Sequence, residues 1–306
     1  MKSDLPKGIF AACGVPMVDL VGRAMRGAGI ARPVVITGRR CELLRERLGD
    51  GYDCATQEQQ LGTGHAALMA REVLEGHVGP VVVTPGDTPL LTAEALQGLI
   101  DTHLRTGAAC TMATVRFDDP TGYGRVIRDG NGFACRIIEE KDATPEERTI
   151  QEVCVSVYCF DGPTLFQLLP TLNTNNAQGE YYLTDMIAAV YADSGKVETH
   201  EFEDAETMLG VNDRWQLAQA AAILRGRILK RHAQNGVTIV DPTNTYIGFD
   251  VQIGTDTTVH PMTNLEGTTL IGEGCEIGPN TRVEDSTIGD RCTVLMSHLA
   301  RATMQE

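Results

Sequence analysis

The sequence predicts an α/β domain on a mostly parallel, Rossmann-like sheet, followed by a short left-handed parallel β-helix. Two patterns carry that prediction. From Met1 to about Asn212, strand-like apolar runs alternate with helical ones, and from Ile247 onward aliphatic residues recur every six positions. The boundaries expected from these patterns are 1–212 for the first domain, 213–236 for a linker helix and 237–306 for the repeat.

In the first domain the alternation runs PVVITG, RCELLRERLG, HAALMAREVLEG, PVVVTPGD, TAEALQGLIDTHLRTG, a succession that favours crossover connections and a parallel sheet. Residues Arg214 to Gln234 then set Leu217, Ala220, Ala221, Leu224, Ile228 and Leu229 at helical spacing, with Gly236 as the stop. Beyond them Ile247, Ile253, Val259, Leu265, Ile271, Ile277 and Val283 recur at intervals of six, and Gly248, Gly254, Gly272 and Gly278 follow four of them. Such a period places each aliphatic residue inward on successive flat sides of a coil whose neighbours cover one another. After Val283 the frame slips to Ile288 and resumes at Val294, as a corner insertion or a loss of register would produce. About three coils are expected. The last has no evident cap, so further chain is expected after it.

A length of 306 residues suffices for one large or two modest domains. The net charge of −15 argues against nucleic acid and anionic lipid as partners. It also means that a phosphate site has to rely on local backbone N–H groups, one or two lysines and a divalent cation, so magnesium is expected. No apolar run approaches the roughly 20 residues of a membrane helix, and MKSDLPKGIF lacks the order of a secretory signal. A cytoplasmic protein is expected. Nine cysteines without a C-x-x-C pair read as small buried hydrophobes rather than a disulfide or zinc framework.

The run QEQQLGTGHAA from Gln57, followed thirty residues later by Asp87, looks like a nucleobase reader ahead of a metal-binding carboxylate and points to nucleotidyl transfer. Gln57 offers a donor and an acceptor on one amide, matching the edge of uracil. Gly62 and Gly64 would let backbone approach a flat base, and Thr63 adds a hydroxyl; the alternative is a polar loop with Thr63 as helix cap. Asp87, after Gly86 and the strand Val81 to Val83, falls at a strand's carboxyl end, where such sheets bind ligands, although a turn residue is the plainer reading. Asn212 is either a neutral ligand to the same ion or the cap of the following helix. Lys7 could hold a phosphate as a point charge. Gly124 in DDPTGYGRVI is a turn residue or a place where backbone meets a sugar, and Glu139 in IIEEKDAT an exposed strand end or an acceptor for vicinal sugar hydroxyls. LNTNNAQGEYYLTDMI is a polar loop leading into a helix, with Glu180 and Asp185 as site or cap residues.

In order, SDLPK, CGVPM, EQQLGTGHA, GDTPLL, DDPTGYGRV, EEKDAT, NTNNAQGEYYLTD, GVNDR and GVTIVDP closely resemble the bacterial bifunctional N-acetylglucosamine-1-phosphate uridylyltransferase and glucosamine-1-phosphate acetyltransferase. The resemblance covers almost the whole chain. It implies an α/β nucleotidyltransferase that joins UTP to N-acetylglucosamine 1-phosphate with Mg2+, giving UDP-N-acetylglucosamine and pyrophosphate for cell-wall precursor synthesis. It further implies Gln57, Gly62 and Thr63 on uracil, Lys7 on phosphate, Gly86 beside Asp87, Asp87 and Asn212 on the metal, Gly124 and Glu139 on the sugar, and a homotrimer formed through the β-helix.

Three departures accompany it. Met1 falls where the last residue of the family's L-A-A-G-x-G-T-R-M loop would stand, which reads as a start set at an internal methionine. Cys154 replaces an asparagine that would bind the sugar and cannot make the same pair of hydrogen bonds. The repeat ends before the family's acetyltransferase residues, so neither acetyl transfer nor an acetyl-CoA site is expected. The competing expectations are a non-catalytic homologue that keeps sugar-nucleotide binding, and a transferase for another hexose phosphate.

Overall fold

A computed structural model describes all residues except Asp4, Arg39, Arg40, Ser194 and Glu306, together with the side chain of Cys41. The chain divides into two units: Val18–Gly210 forms one, and Met1–Met17 with Val211–Glu306 forms the other.

In chain order, a short antiparallel hairpin of β1 (Ala11–Ala12) and β2 (Val15–Pro16) precedes α1 (Met17–Gly27), β3 (Val34–Thr37), α2 (Cys41–Leu48) and β4 (Asp53–Thr56). Then come α3 (Thr63–Leu68), β5 (Pro80–Val83), α4 (Ala93–Thr106), β6 (Cys110–Arg116), β7 (Gly124–Arg128), β8 (Ala134–Ile138) and β9 (Glu152–Asp161). The unit closes with α5 (Gly162–Leu168), α6 (Asp185–Ala192) and β10 (Val197–Glu201).

The main sheet of this unit runs β10-β6-β9-β7-β8, and β5 also pairs with β9. The ten-residue β9 has β6 along one edge, while β7 takes its first residues and β5 its last on the other. Only β10–β6 is parallel; the remaining pairs are antiparallel. The sheet is therefore mixed, not mostly parallel, because its central strand β9 runs against β5, β6 and β7, and a hairpin joins β7 to β8 at one edge. That turn closes on Asp129, whose N–H reaches Phe133 O at 2.8 Å. β3 and β4 form a separate parallel pair.

Burial on both faces follows the alternation along β9. Val153, Val155, Val157 and Cys159 pack with Val21, Ala24, Leu96 and Leu99 from α1 and α4. Cys154, Tyr158 and Phe160 face the other way, onto Leu165, Leu168, Met186 and Ile187 of α5 and α6. The helix expected over HAALMAREVLEG stops at Leu68, and tighter i→i+3 bonds such as Met69 N to Ala66 O, 3.1 Å, carry the chain onward.

In the second unit, α7 (Arg214–Gln234) occupies the span expected of the linker helix and ends ahead of Gly236 at φ +89°. Asp213 caps it by accepting from Gln216 N at 2.7 Å, so the capping role weighed for Asn212 belongs to its neighbour. The repeat folds as three four-stranded parallel sheets, consistent with the expected left-handed β-helix. The strands that open the three sides are Thr238–Ile239, Thr245–Ile247 and Gln252–Ile253. Each side stacks four strands, so the solenoid begins earlier and is longer than three coils from Ile247. Val259, Leu265, Ile277 and Val283 are fully buried inside it.

The frame slip is neither an insertion nor a loss of register. Val259 pairs with Ile277 and Leu265 with Val283, but Ile271 pairs with Ile288 and Ile277 with Val294. The corner after Val283 is one residue shorter, with Asp285 at φ +45°, and the aliphatic ladder continues through it. No helix among the described residues is long and apolar enough to cross a membrane.

Candidate active site

Gln57 is 8% exposed at the end of β4 and is held from both sides. Its backbone N–H reaches Thr37 O at 2.7 Å. Its side-chain Nε2 donates to Gly62 O at 3.0 Å and lies 2.9 Å from His65 Nδ1. The amide hydrogens therefore close the loop, and Oε1 is the polar atom left to meet a base. The reading of Gln57 as donor and acceptor together gives way to an acceptor alone.

The glycines have a different task from the one expected. Gly62 sits at φ +112°, and a Cβ there would fall 2.5 Å from Tyr181 O; a Cβ on Gly64 would fall 2.8 Å from Leu172 Cδ1. The space they save is filled by the Tyr181 backbone and the Leu172 side chain rather than by a ligand. Tyr181 N donates to Leu61 O, Gly64 N to Tyr181 O, each at 2.8 Å, and Leu183 N to Thr63 Oγ1 at 3.0 Å. Thr63 accordingly does not cap α3; Gly62 takes that position without a side-chain bond.

The same segment reaches the candidate sugar residues. Thr184 Oγ1 donates to Glu139 Oε1 at 2.9 Å. Burial raises the Glu139 carboxyl above its usual range, the Thr184 bond opposes that rise, and Asp185 and Asp142 add to it. Gly124, buried in β7, carries no side chain beneath this carboxylate: a Cβ would stand 3.6 Å from each Glu139 oxygen. Arg125, 1% exposed, fixes the adjoining turn by donating to Tyr123 O and to Glu140 Oε2, the latter at 2.6 Å.

Cys154 lies 3% exposed on β9, opposite Gly124. Its thiol donates to Tyr158 Oη at 3.2 Å, and burial pushes its pKa up to about 11. It stays protonated near neutrality. Gly86 and the half-buried Asp87 follow β5; the Asp87 charge helps to hold the Tyr123 phenol above its usual range, after burial as the main cause.

Lys7 and Asn212 belong to the other unit. Lys7 Nζ donates to Asn212 Oδ1 at 2.7 Å, so a lysine and an amide distant in sequence share one exposed patch. Asn212 N is held by Gln216 Oε1 at 2.6 Å.

Two elements escaped the sequence reading: Thr184, which braces Glu139, and the Tyr181 backbone, which braces the Gln57 loop. Both sit in NTNNAQGEYYLTD, whose signal was a long polar run ahead of a short helix.

The unit Val18–Gly210 is thus an α/β domain with a mixed sheet flanked by helices, carrying a glycine-bearing loop, an acidic residue after a strand and a carboxylate beside a glycine. Comparison with known proteins agrees. Residues 2–216 match the model of the Nucleotidyl transferase family. The chain is 47% identical over 302 residues to the bifunctional protein GlmU of Carboxydothermus hydrogenoformans, covering 99% of this chain and 67% of the relative. It is 44% identical over 294 residues to that of Geobacillus thermodenitrificans, covering 96% and 64%. The chain belongs to the nucleotidyl transferase family and, within it, to the GlmU proteins. It spans about two thirds of the length of these relatives.

Proposed function

We propose that the chain carries a uridylyl transfer: UTP and N-acetylglucosamine 1-phosphate give UDP-N-acetylglucosamine and pyrophosphate, in the cytoplasm, for cell-wall precursor synthesis. A homotrimer through the β-helix belongs to the same reading. One observation supports it above the others. The segment Asn176–Asp185 bonds to the loop bearing Gln57 and also to Glu139, so a base-facing loop and a sugar-facing carboxylate are built on one piece of backbone.

In this scheme Gln57 Oε1 accepts from the uracil ring N–H, while Gly62 and Thr63 keep the loop in place. Glu139 accepts from two sugar hydroxyls over Gly124. The phosphate oxygen of the sugar attacks the α-phosphorus in line; a new P–O bond forms and the bond to pyrophosphate breaks, with no proton to be moved by the protein. Positioning and charge neutralisation supply the acceleration, and Lys7 contributes a fixed positive charge. Magnesium, when bound with the phosphates, supplies further neutralisation of their charge. Asp87, half-buried after β5, is the carboxylate that would hold it, in keeping with an ion that takes one or two carboxylates and the rest of its ligands from phosphate and water.

Purified chain given UTP, magnesium and N-acetylglucosamine 1-phosphate is expected to release pyrophosphate, and Asp87→Ala to abolish the release. Equal release with glucose 1-phosphate would refute the sugar assignment. The competing reading, sugar-nucleotide binding without turnover, draws on the thiol of Cys154, whose proton goes to Tyr158; saturable binding of UDP-N-acetylglucosamine with no pyrophosphate released would establish it instead.

A further inference from the structure

Thr114 on β6, Cys154 on β9 and Gly124 on β7 stand at one level of the sheet, Cys154 being the register partner of both others. Partners across antiparallel strands project to the same face, with Cβ atoms about 4.5–5.5 Å apart. Glu139 lies beyond Gly124 in the same row. Thr114 is fully buried, yet its Oγ1 has no hydrogen-bond partner. Its neighbour has a single proton to give and spends it on Tyr158 Oη.

An orphaned hydroxyl inside a core is costly where a methyl group of the same shape is not. Across the sheet from it stands residue 154. A side chain there able to serve both sides needs a strong acceptor for Thr114 and a donor for a ligand; a carboxamide has both, whereas a thiol whose proton goes to Tyr158 keeps only a weakly accepting sulfur.

We infer that the Thr114 hydroxyl is placed to hold a hydrogen-bonding side chain at position 154 of the sugar subsite, and that with cysteine there it holds none and this position gives a bound sugar no hydrogen bond. Discrimination among hexose 1-phosphates then rests on Glu139 and the backbone at Gly124, and is relaxed for the substituent lying over residue 154. The sugar role rests on the functional reading above; the pairing of 114 with 154 does not.

The test is a double-mutant cycle in the full chain with Thr114→Val, Cys154→Asn and both together, read by thermal unfolding and by calorimetric binding of UDP-N-acetylglucosamine and UDP-glucose. Alone, Thr114→Val is expected to raise the unfolding temperature by about 2–4 °C, because it removes an unpaired hydroxyl. Combined with Cys154→Asn it lowers that temperature instead. Cys154→Asn is expected to tighten UDP-N-acetylglucosamine about tenfold, by one hydrogen bond, with a smaller change for UDP-glucose, and the gain disappears when Thr114→Val is added. A temperature change of the same sign in both backgrounds, or a gain that survives Thr114→Val, overturns the proposal. Should Cys154→Asn fail to fold, Cys154→Ser, whose oxygen also accepts, carries the same stability cycle. If none of the four forms binds either sugar nucleotide, the functional reading and the sugar role fall together, and the sign reversal in stability still decides the pairing.

Discussion

Lys7 donates through Nζ to Oδ1 of Asn212 at 2.7 Å, joining the start of the chain to the residue just ahead of α7. The contact is exposed, so water competes for both partners and its contribution to stability is small. Lys7→Ala is therefore expected to leave the unfolding temperature within about 2 °C of the parent. It should lower kcat/KM for pyrophosphate release by tenfold or more, through loss of a fixed charge worth ~1.4 kcal/mol or more in the transition state. Steady-state kinetics beside a thermal melt separate the two effects, and a large fall in melting temperature would assign Lys7 to the fold alone.

If Glu139 holds the sugar as proposed, binding is expected to depend on pH. Its carboxyl is raised by burial, so it takes up a proton at a higher pH than an ordinary glutamate, and affinity for UDP-N-acetylglucosamine is expected to fall as the pH drops through that raised value. The Thr184 bond opposes the rise. Thr184→Val should shift the midpoint of the affinity profile to still higher pH, whereas an unmoved midpoint would show that Glu139 is not the titrating group.

Acid should also unsettle the unit that holds α7. His232 is 5% exposed with Nε2 unpartnered, and burial, aided by Arg231, depresses its pKa. The folded pKa lies below the unfolded one, so between the two values the unfolded chain binds more protons. Stability is fully present above the unfolded value of about 6.5 and is lost as the pH falls below it. His232→Leu is expected to shrink the difference in melting temperature between pH 7.5 and pH 5.5, measured by scanning calorimetry. His103 and His200, depressed by burial in the other unit, leave a remainder.

Along the solenoid, Ile277 lies fully buried between Val259 and Val294 of the neighbouring coils. Ile277→Ala is expected to cost about 2–5 kcal/mol by removing buried methylenes and leaving a cavity. Denaturant unfolding of the variant checks this, and a loss under about 1 kcal/mol would mean that the ladder is loosely packed.

The patterns in the chain that depend on a single local period were legible. The spacing of α7 and the six-residue ladder each report burial along one direction; the helix occupies the span read for it, and the ladder is present but starts with the strand Thr238–Ile239, ahead of Ile247. The direction of strands was not legible, because β6, β7, β8 and β9 look alike in composition whether joined by helices or turns. The turn in RDGNGF between β7 and β8 was the signal that could have revealed the antiparallel centre. Within the site, residue types at Gln57, Glu139 and Gly124 were readable as chemistry, but their neighbours were not. That Gln57 spends its amide hydrogens on Gly62 and His65, or that Thr184 braces Glu139, follows from long-range packing that no local window contains.

The central claim is that Val18–Gly210 holds the base at the Gln57 loop and the sugar at Glu139. Hydrogen–deuterium exchange of the full chain with and without UDP-N-acetylglucosamine tests it most directly. Slower exchange is expected over residues 57–64, 122–126, 137–140 and 180–185, with the protection lost in Glu139→Ala at the last three. Protection confined to the solenoid, or an exchange pattern unchanged at saturating ligand, would contradict it.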